Sequence, residues 1–467
     1  MDAHHESADP ARIELSREQM REFGYRVVDL LTEHFAAATQ SPVGAKADPE
    51  EIWERFAAAP GDEPRNVMQL LTRIEREVLP NNLHVDHPRF FAFVPGPNNF
   101  VSAMSDALAA GFNVFNGTWL GGSAAAAMEM AVIRWFCQWC ELPGSAGGLF
   151  VSGGSAANET ALVAARHALL QDRVDRAIVY FSDQTHSSVE RALRVIGFAP
   201  EQIRILPGDS AFRLPLDTLR EKIAVDRAAG LWPFCVVANA GTTNTGAVDP
   251  LNEIADICGA EKMWMHVDGA YGAATMLCER GRAELTGLNR CDSLSLDPHK
   301  WLFQSFECGC VLVRDAELLK SAFRITPDYL RDVHRHVAEK NFCDYGIQLT
   351  RSFRSLKVWL SLQTFGLAAF RRAIERGFEL AEFAEAELRK RGWEILAPAQ
   401  MAIVCFRIGG DDAAQTRMVE ALLRDGYAFL TSTTLHGRIA LRFCTINPRT
   451  TEADIVGTID RIERLAG

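Results

Sequence analysis

The chain lacks a long apolar run: nowhere in its 467 residues are there the roughly 18 uninterrupted apolar positions a membrane-spanning helix needs. The nearest approach, Ala124 to Phe136, contains Glu129 and Arg134 and reads as a packed helix. Met1 to Ser16 carries His4, His5, Glu6, Asp9 and Arg12 with no apolar core, so no secretory leader is expected. Positive charge is scarce. The 49 lysines and arginines face 60 acids, a net charge of -11, which argues against nucleic-acid and anionic-membrane partners. Neither GxGxxG nor GxxxxGKS/T occurs, so the glycine signatures of dinucleotide and nucleoside-triphosphate sites are missing. The 11 cysteines are scattered, apart from Cys137-x-x-Cys140 and Cys308-Gly-Cys310. With no second pair beside them, no metal or redox centre is expected, and reduced buried thiols in a cytoplasmic protein are the better reading. There is no internal repeat and no low-complexity segment.

What remains is ordinary for a soluble globular protein, 48% hydrophobic and 23% charged, and long enough to bury a large core. Residues 1–99 read as a helical arm. Ser16 is placed to cap a run bearing Phe23, Val27, Val28, Leu30, Leu31 and Phe35. Further helices fit Pro49–Ala59 and Asn66–Val78, Pro80 stops the second, and proline-rich Asn81–Asn99 is an ordered loop. Residues 100–370 alternate short apolar runs with helical periods such as Asn158–Leu170 and Ser187–Ile196, which predicts an α/β domain around a mostly parallel sheet. Residues 371–467 begin within a long amphipathic helix, Phe370–Arg391. They continue through Ala402–Ile408 and Arg438–Phe443 to a closing helix from Thr451, a small α+β domain.

In open α/β sheets ligands gather at the carboxyl ends of strands. After Val151 comes Ser152-Gly153-Gly154-Ser155-Ala156-Ala157-Asn158, either a phosphate cradle at a helix start or a plain tight turn. His186 follows the run ending at Phe181, and Thr242 and Thr243 follow the one ending at Ala240. Asp268 ends an apolar strand, where a buried carboxylate needs a cation or hydrogen-bond donor. Lys300, in Asp297-Pro298-His299-Lys300-Trp301, is either a desolvated nucleophilic amine or a snorkelling surface lysine. Cradle, histidine, hydroxyls, aspartate and lysine together match the needs of pyridoxal 5'-phosphate.

With His87-Pro-Arg-Phe-Phe-Ala-Phe, Ser182-Asp-Gln-Thr-His-Ser-Ser-Val-Glu-Arg-Ala, His266-Val-Asp-Gly-Ala-Tyr, Asp297-Pro-His-Lys-Trp and Arg351-Ser-Phe-Arg-Ser-Leu-Lys, the chain resembles the group II pyridoxal-phosphate decarboxylases. The likeness is greatest to the aromatic-L-amino-acid decarboxylases and runs in order along essentially the whole chain. It implies a fold-type I homodimer, with the N-terminal arm wrapping the partner, and conversion of an L-amino acid, aromatic by preference, to amine and carbon dioxide. It further implies Lys300 as the lysine joined to the cofactor, Asp268 as partner of the pyridine nitrogen, His186 above the ring and Ala270 below it. Ser155, Ala157 and Asn158 fall where the family holds the phosphate, Thr243 on a supporting threonine, and His299 on the histidine before the lysine. An aromatic aldehyde synthase or aminotransferase on the same fold, or a silent homologue, are the alternatives; the presence of both Lys300 and Asp268 argues against silence.

Some positions depart from the family pattern. Asp297 is asparagine in some relatives, so a direct phosphate contact is not expected there. Gly96 and Gly117 replace larger residues of some animal relatives, implying a side-chain pocket that is wider or differently filled, with Phe91, Phe93, Phe115 and Trp119 as candidate walls. No lysine or arginine is obviously placed for a second substrate carboxylate. Relatives carry a proton-donating tyrosine on the loop corresponding to Ile325–Gly346. Gap-free counting from Phe353-Arg354-Ser355-Leu356 puts Phe342 at that position, and a three-residue shift puts Tyr345 there. Tyr345 is taken as the acid, and phenylalanine would favour the aldehyde product.

Overall fold

The computed structural model describes residues 13–325 and 339–466. The chain divides into two compact units between His84 and Val85. In the first, the helices are Arg17–Ala37, Pro49–Phe56 and Val67–Arg73, the last continuing as a π-helical turn, Ile74–Val78. Each is capped by its own sequence. Ser16 and Gln19 form a capping box, Asp48 accepts from the Glu50 and Glu51 amides ahead of Pro49, and Asn66 accepts from Met68 and Gln69. The second helix stops at Phe56, short of the expected Ala59, as Pro60 disfavours helical backbone before it. None of these three helices buries a residue.

The second unit holds a seven-stranded sheet. Its strands are β1 (Gly147–Val151), β2 (Ala177–Ser182), β3 (Ile203–Leu206), β4 (Trp232–Asn239), β5 (Trp264–Asp268), β6 (Ser293–Leu296) and β7 (Gly309–Val313). They lie in the order β1-β7-β6-β5-β4-β2-β3. Strands β6, β5, β4, β2 and β3 pair in parallel, and β7 alone runs antiparallel, between β6 and β1. Every residue of β1, β2, β5, β6 and β7 is buried, which explains why their sequences are apolar on both faces.

A second, antiparallel sheet is built from β8 (Glu394–Gln400), β9 (Ile403–Arg407), β10 (Thr431–Leu435) and β11 (Arg438–Cys444), ordered β10-β11-β9-β8. Helices Leu367–Lys390, Asp412–Asp425 and Glu452–Ala466 accompany it. The segment from Val85 to Asn99, expected to close the arm, belongs to this unit. The Phe91 amide donates to the Phe429 carbonyl (2.7 Å), and the Cys444 amide donates to the Phe91 carbonyl (3.1 Å). Phe91 is accordingly core, packed edge-on against Phe443, and is not a pocket wall.

Two details position the site. Register aligns the ends of three parallel strands, pairing Asn239 with Asp268 and Asp268 with Ser295. The helix after β1 starts at Gly154, not Asn158, and runs to Leu170. Asn158, a residue type that suggests a cap, therefore lies inside the helix and directs its amide into the protein. Glu129 lies fully buried in helix Trp119–Trp139, where it meets Arg351. Among the described residues no helix is long and apolar enough to cross a membrane.

Candidate active site

The strand ends open into a cleft of about 300 Å3. Lys300, Asp268, His186, His299, Ser155, Asn158, Thr243 and Ala270 all line it. Sequence reasoning had passed over Ser188, Asn239, Tyr271 and Glu307, which line it too. These are common residue types; strand register and turn geometry, not composition, bring them there.

Asp268 is 8% exposed and held on both oxygens. Oδ2 accepts from Asn158 Nδ2 (2.9 Å), while Oδ1 accepts from the Ser295 hydroxyl (3.1 Å) and the Ala270 amide (3.2 Å). Its hydrogen-bond need is thus met entirely by neutral donors, leaving it free to act as the buried anion of the cleft. Lys300 Nζ lies 3.3 Å from Asp297 Oδ2, and His299 Nε2 lies 3.4 Å from the same oxygen. Asp297 is therefore engaged by the lysine and histidine; its other oxygen, Oδ1, is buried without a hydrogen-bond partner. Burial pushes His299 and His186 below the ordinary imidazole range, and Lys300 acts in the same direction on both. His186 Nδ1 accepts from the Ser188 amide (3.2 Å) and lies 2.8 Å from its hydroxyl, so Nε2 carries the proton.

At the other end of the cleft, Gly153 caps helix Gly154–Leu170 with no side chain, leaving the first amides of a 17-residue helix without a side-chain acceptor. Close packing demands glycine here. A Cβ on Gly309 would sit 2.4 Å from Gly153 Cα, and one on Gly154 would sit 2.8 Å from Ala270 Cβ. Ala157 does not reach the cleft: it is fully buried, and its amide donates to the Gly153 carbonyl (3.0 Å). The second sheet braces the opposite wall. Arg442 on β11, 3% exposed, donates to the carbonyls of Thr243 (2.7 Å), Asn244 (3.3 Å) and Phe93.

The space left by the two departing glycines is filled. A Cβ on Gly96 would meet the Phe306 ring at 2.5 Å, and one on Gly117 would meet the Phe115 ring at 2.6 Å. Phe306 stands edge-on to His299, ring centroids 5.0 Å apart. Trp119 packs against the main core, and Phe93 is 57% exposed. The structure does not bring Tyr345 to the cleft. It is 7% exposed in the core, with Phe342 beside it, Lys340 Nζ 4.3 Å from its ring centroid, and a phenol pushed up to about 12 by burial. Both registers for the loop acid, Phe342 without gaps and Tyr345 after a three-residue shift, fall on buried side chains. The same stretch holds Tyr329, which lies outside the described residues.

Donor set, anion-ready helix start and buried carboxylate fit pyridoxal 5'-phosphate: helix amides and Ser155 for the phosphate, Asp268 for the ring nitrogen, Lys300 for the aldehyde carbon. Comparison with known proteins agrees. An aromatic-L-amino-acid decarboxylase of Bacillus atrophaeus is 46% identical over 464 residues, 97% of each chain. A phenylacetaldehyde synthase of Arabidopsis thaliana is 31% identical, over 94% of each. The crystal structure of Oryza sativa TDC with PLP and tryptamine superposes with a TM-score of 0.91 at 30% identity, covering 98% of this chain and 99% of that one. The pyridoxal-dependent decarboxylase conserved domain matches residues 49–409, and the chain belongs to that family.

Proposed function

We propose that this pyridoxal 5'-phosphate-dependent decarboxylase acts on an aromatic L-amino acid, releasing the amine and carbon dioxide, as a cytoplasmic homodimer. The observation that carries the reading is the meeting of Lys300 and Asp268 in one cleft beside an uncapped helix start. When bound, the cofactor supplies an electron-accepting ring for the electron pair that carbon dioxide leaves behind. Asp268 would hold a proton at the ring nitrogen, the charge that makes the ring a sink. The helix start would fix the phosphate, and Ala270 and His186 would bracket the ring plane. Lys300 would hold the cofactor between turnovers, with Asp297 and His299 orienting its amine. A proton must then return to Cα. His186, which lines the cleft with Nδ1 held by Ser188, is one candidate donor, and Tyr329 is a phenol to be tested against it.

Substrate preference rests on charge. Among the described residues Lys300 is the one lysine or arginine lining the cleft. Nearby Lys357 is committed to Asp106 (2.8 Å) and the Ser305 carbonyl (2.9 Å), so among the described residues no cation lining the cleft besides Lys300 meets a second carboxylate. The free cysteines suit a reducing compartment. The test is a panel of L-tryptophan, L-tyrosine, L-DOPA, L-phenylalanine, L-histidine and L-glutamate, scored for amine, carbon dioxide and hydrogen peroxide, with Tyr329→Phe and Tyr345→Phe alongside. Amine equal to carbon dioxide from an aromatic substrate, without peroxide, is expected, with Tyr345→Phe active. Stoichiometric peroxide would instead make the chain an aldehyde synthase, and turnover of glutamate alone would contradict the aromatic reading.

A further inference from the structure

From behind the cleft to its lining runs a continuous line of polar groups, of which Trp264, Ser293 and His266 lie outside the lining and Asn158, Asp268, Ser188 and His186 within it. Trp264 Nε1 donates to Ser293 Oγ (2.8 Å), which lies 2.9 Å from His266 Nδ1. His266 Nε2 is 3.0 Å from Asn158 Oδ1, and Asn158 Nδ2 donates to Asp268 Oδ2 (2.9 Å) and to Ser188 Oγ (3.1 Å). Ser188 Oγ in turn meets His186 Nδ1 at 2.8 Å. Ser293, His266, Asn158 and Ser188 are each at most 2% exposed.

The bond directions are fixed from the carboxylate end. Asp268 can only accept, so Asn158 turns Nδ2 toward it and Oδ1 toward His266, whose Nε2 must carry the proton; Ser293, accepting from the Trp264 indole N–H, then gives its own proton to His266 Nδ1. Both Asn158 amide protons thus face Asp268 and Ser188. The reverse orientation would set a carbonyl oxygen against the Asp268 carboxylate and leave the Ser293 proton without an acceptor, a costly pair of faults in a dry interior. Burial holds His266 below the ordinary imidazole range, against the opposite pull of Asp268 and the Ser293 carbonyl, so the ring stays neutral.

We propose that His266 is a positioning residue that, through Asn158, presets the group meant for the cofactor's ring nitrogen, Asp268, as a proton-accepting carboxylate. This rests on the pyridoxal-phosphate reading of the cleft.

The test uses the holoenzyme loaded with ring-15N pyridoxal 5'-phosphate, as native protein and as His266→Leu, His266→Gln and Ser293→Ala. In native protein labelled with 15N-histidine, NMR should find His266 neutral and protonated on Nε2 at neutral pH. In His266→Leu the ring-nitrogen signal should move toward its unprotonated position, its midpoint about one pH unit lower. kcat should fall about tenfold, as the Asn158 bond to the Asp268 carboxylate loses its orientation. His266→Gln, which keeps an N–H donor, should recover most of both, and Ser293→Ala should fall between. A native His266 protonated on Nδ1, an unmoved ring-nitrogen signal in His266→Leu, or glutamine behaving like leucine would each overturn the proposal. The native tautomer decides the point even where the leucine variant fails to fold. Borohydride labelling of Lys300 in the same samples separates the two claims: no label in native protein contradicts the cofactor reading, whereas a label with unaffected variants contradicts only the role of His266.

Discussion

Lys300 and Asp268 were legible in the sequence because a charged side chain ending an apolar strand is expensive unless it is used. Asn158 was legible as a polar residue near a helix start, but its role was not: only the actual start at Gly154 shows that its amide points inward. Tyr345 shows the converse, since a tyrosine's type says nothing of which side of the core it lies on. His186 gives the sharpest prediction at this scale. Burial and Lys300 lower its pKa, while Asp268 and Asp297 raise it. The folded value lies below the unfolded one, near 6.5, so the folded chain binds fewer protons as pH drops. The stability His186 contributes is therefore present above about 6.5 and lost as pH falls through the lowered folded value. In Asp268→Asn the carboxylate that holds it up is gone, so its NMR titration midpoint should fall further, while the decarboxylation rate drops about a hundredfold or more. A midpoint that rises, or an unchanged rate, would show that Asp268 does not face His186 and the cofactor as described.

At the scale of elements, alternating apolar runs and helical periods foretold the parallel sheet, because strands buried on both faces must be apolar throughout. The antiparallel insertion of β7 left no trace in the sequence, since its residues are as apolar as those of its parallel neighbours. The Glu129 contact is a similar case. The acid was conspicuous inside an apolar helix, but its partner, Arg351, lies 222 positions later. Arg351 Nη2 reaches Glu129 Oε1 at 2.5 Å and the Phe150 carbonyl at 2.7 Å, and Glu129 Oε1 also accepts from the Phe150 amide (2.9 Å). The pair ties helix Trp119–Trp139 to β1 with both side chains fully buried. Glu129→Gln leaves the guanidinium buried without a counter-charge, and should lower unfolding free energy by about 3–5 kcal/mol in urea titration. A loss under about 1 kcal/mol would mean that solvent reaches this pair.

For the whole molecule, the N-terminal helices raise a question of cover. They bury no residue, and Tyr25, Trp53 and Phe56 are 59%, 70% and 43% exposed. Apolar surface of this kind on a helical segment signals a partner. A second copy of the chain is the occupant we propose. Sedimentation equilibrium should return twice the 51.7 kDa chain mass, and Trp53→Ser should weaken the association. A fully active species of 51.7 kDa would contradict it.

The central claim is that this cleft carries pyridoxal 5'-phosphate on one particular lysine. Reduction of the purified holoenzyme with borohydride, followed by proteolysis and peptide mapping, tests it most directly. The account predicts a single cofactor-modified peptide containing Asp297-Pro298-His299-Lys300-Trp301, with the modification on Lys300. Modification of any other lysine, or of none, would contradict it.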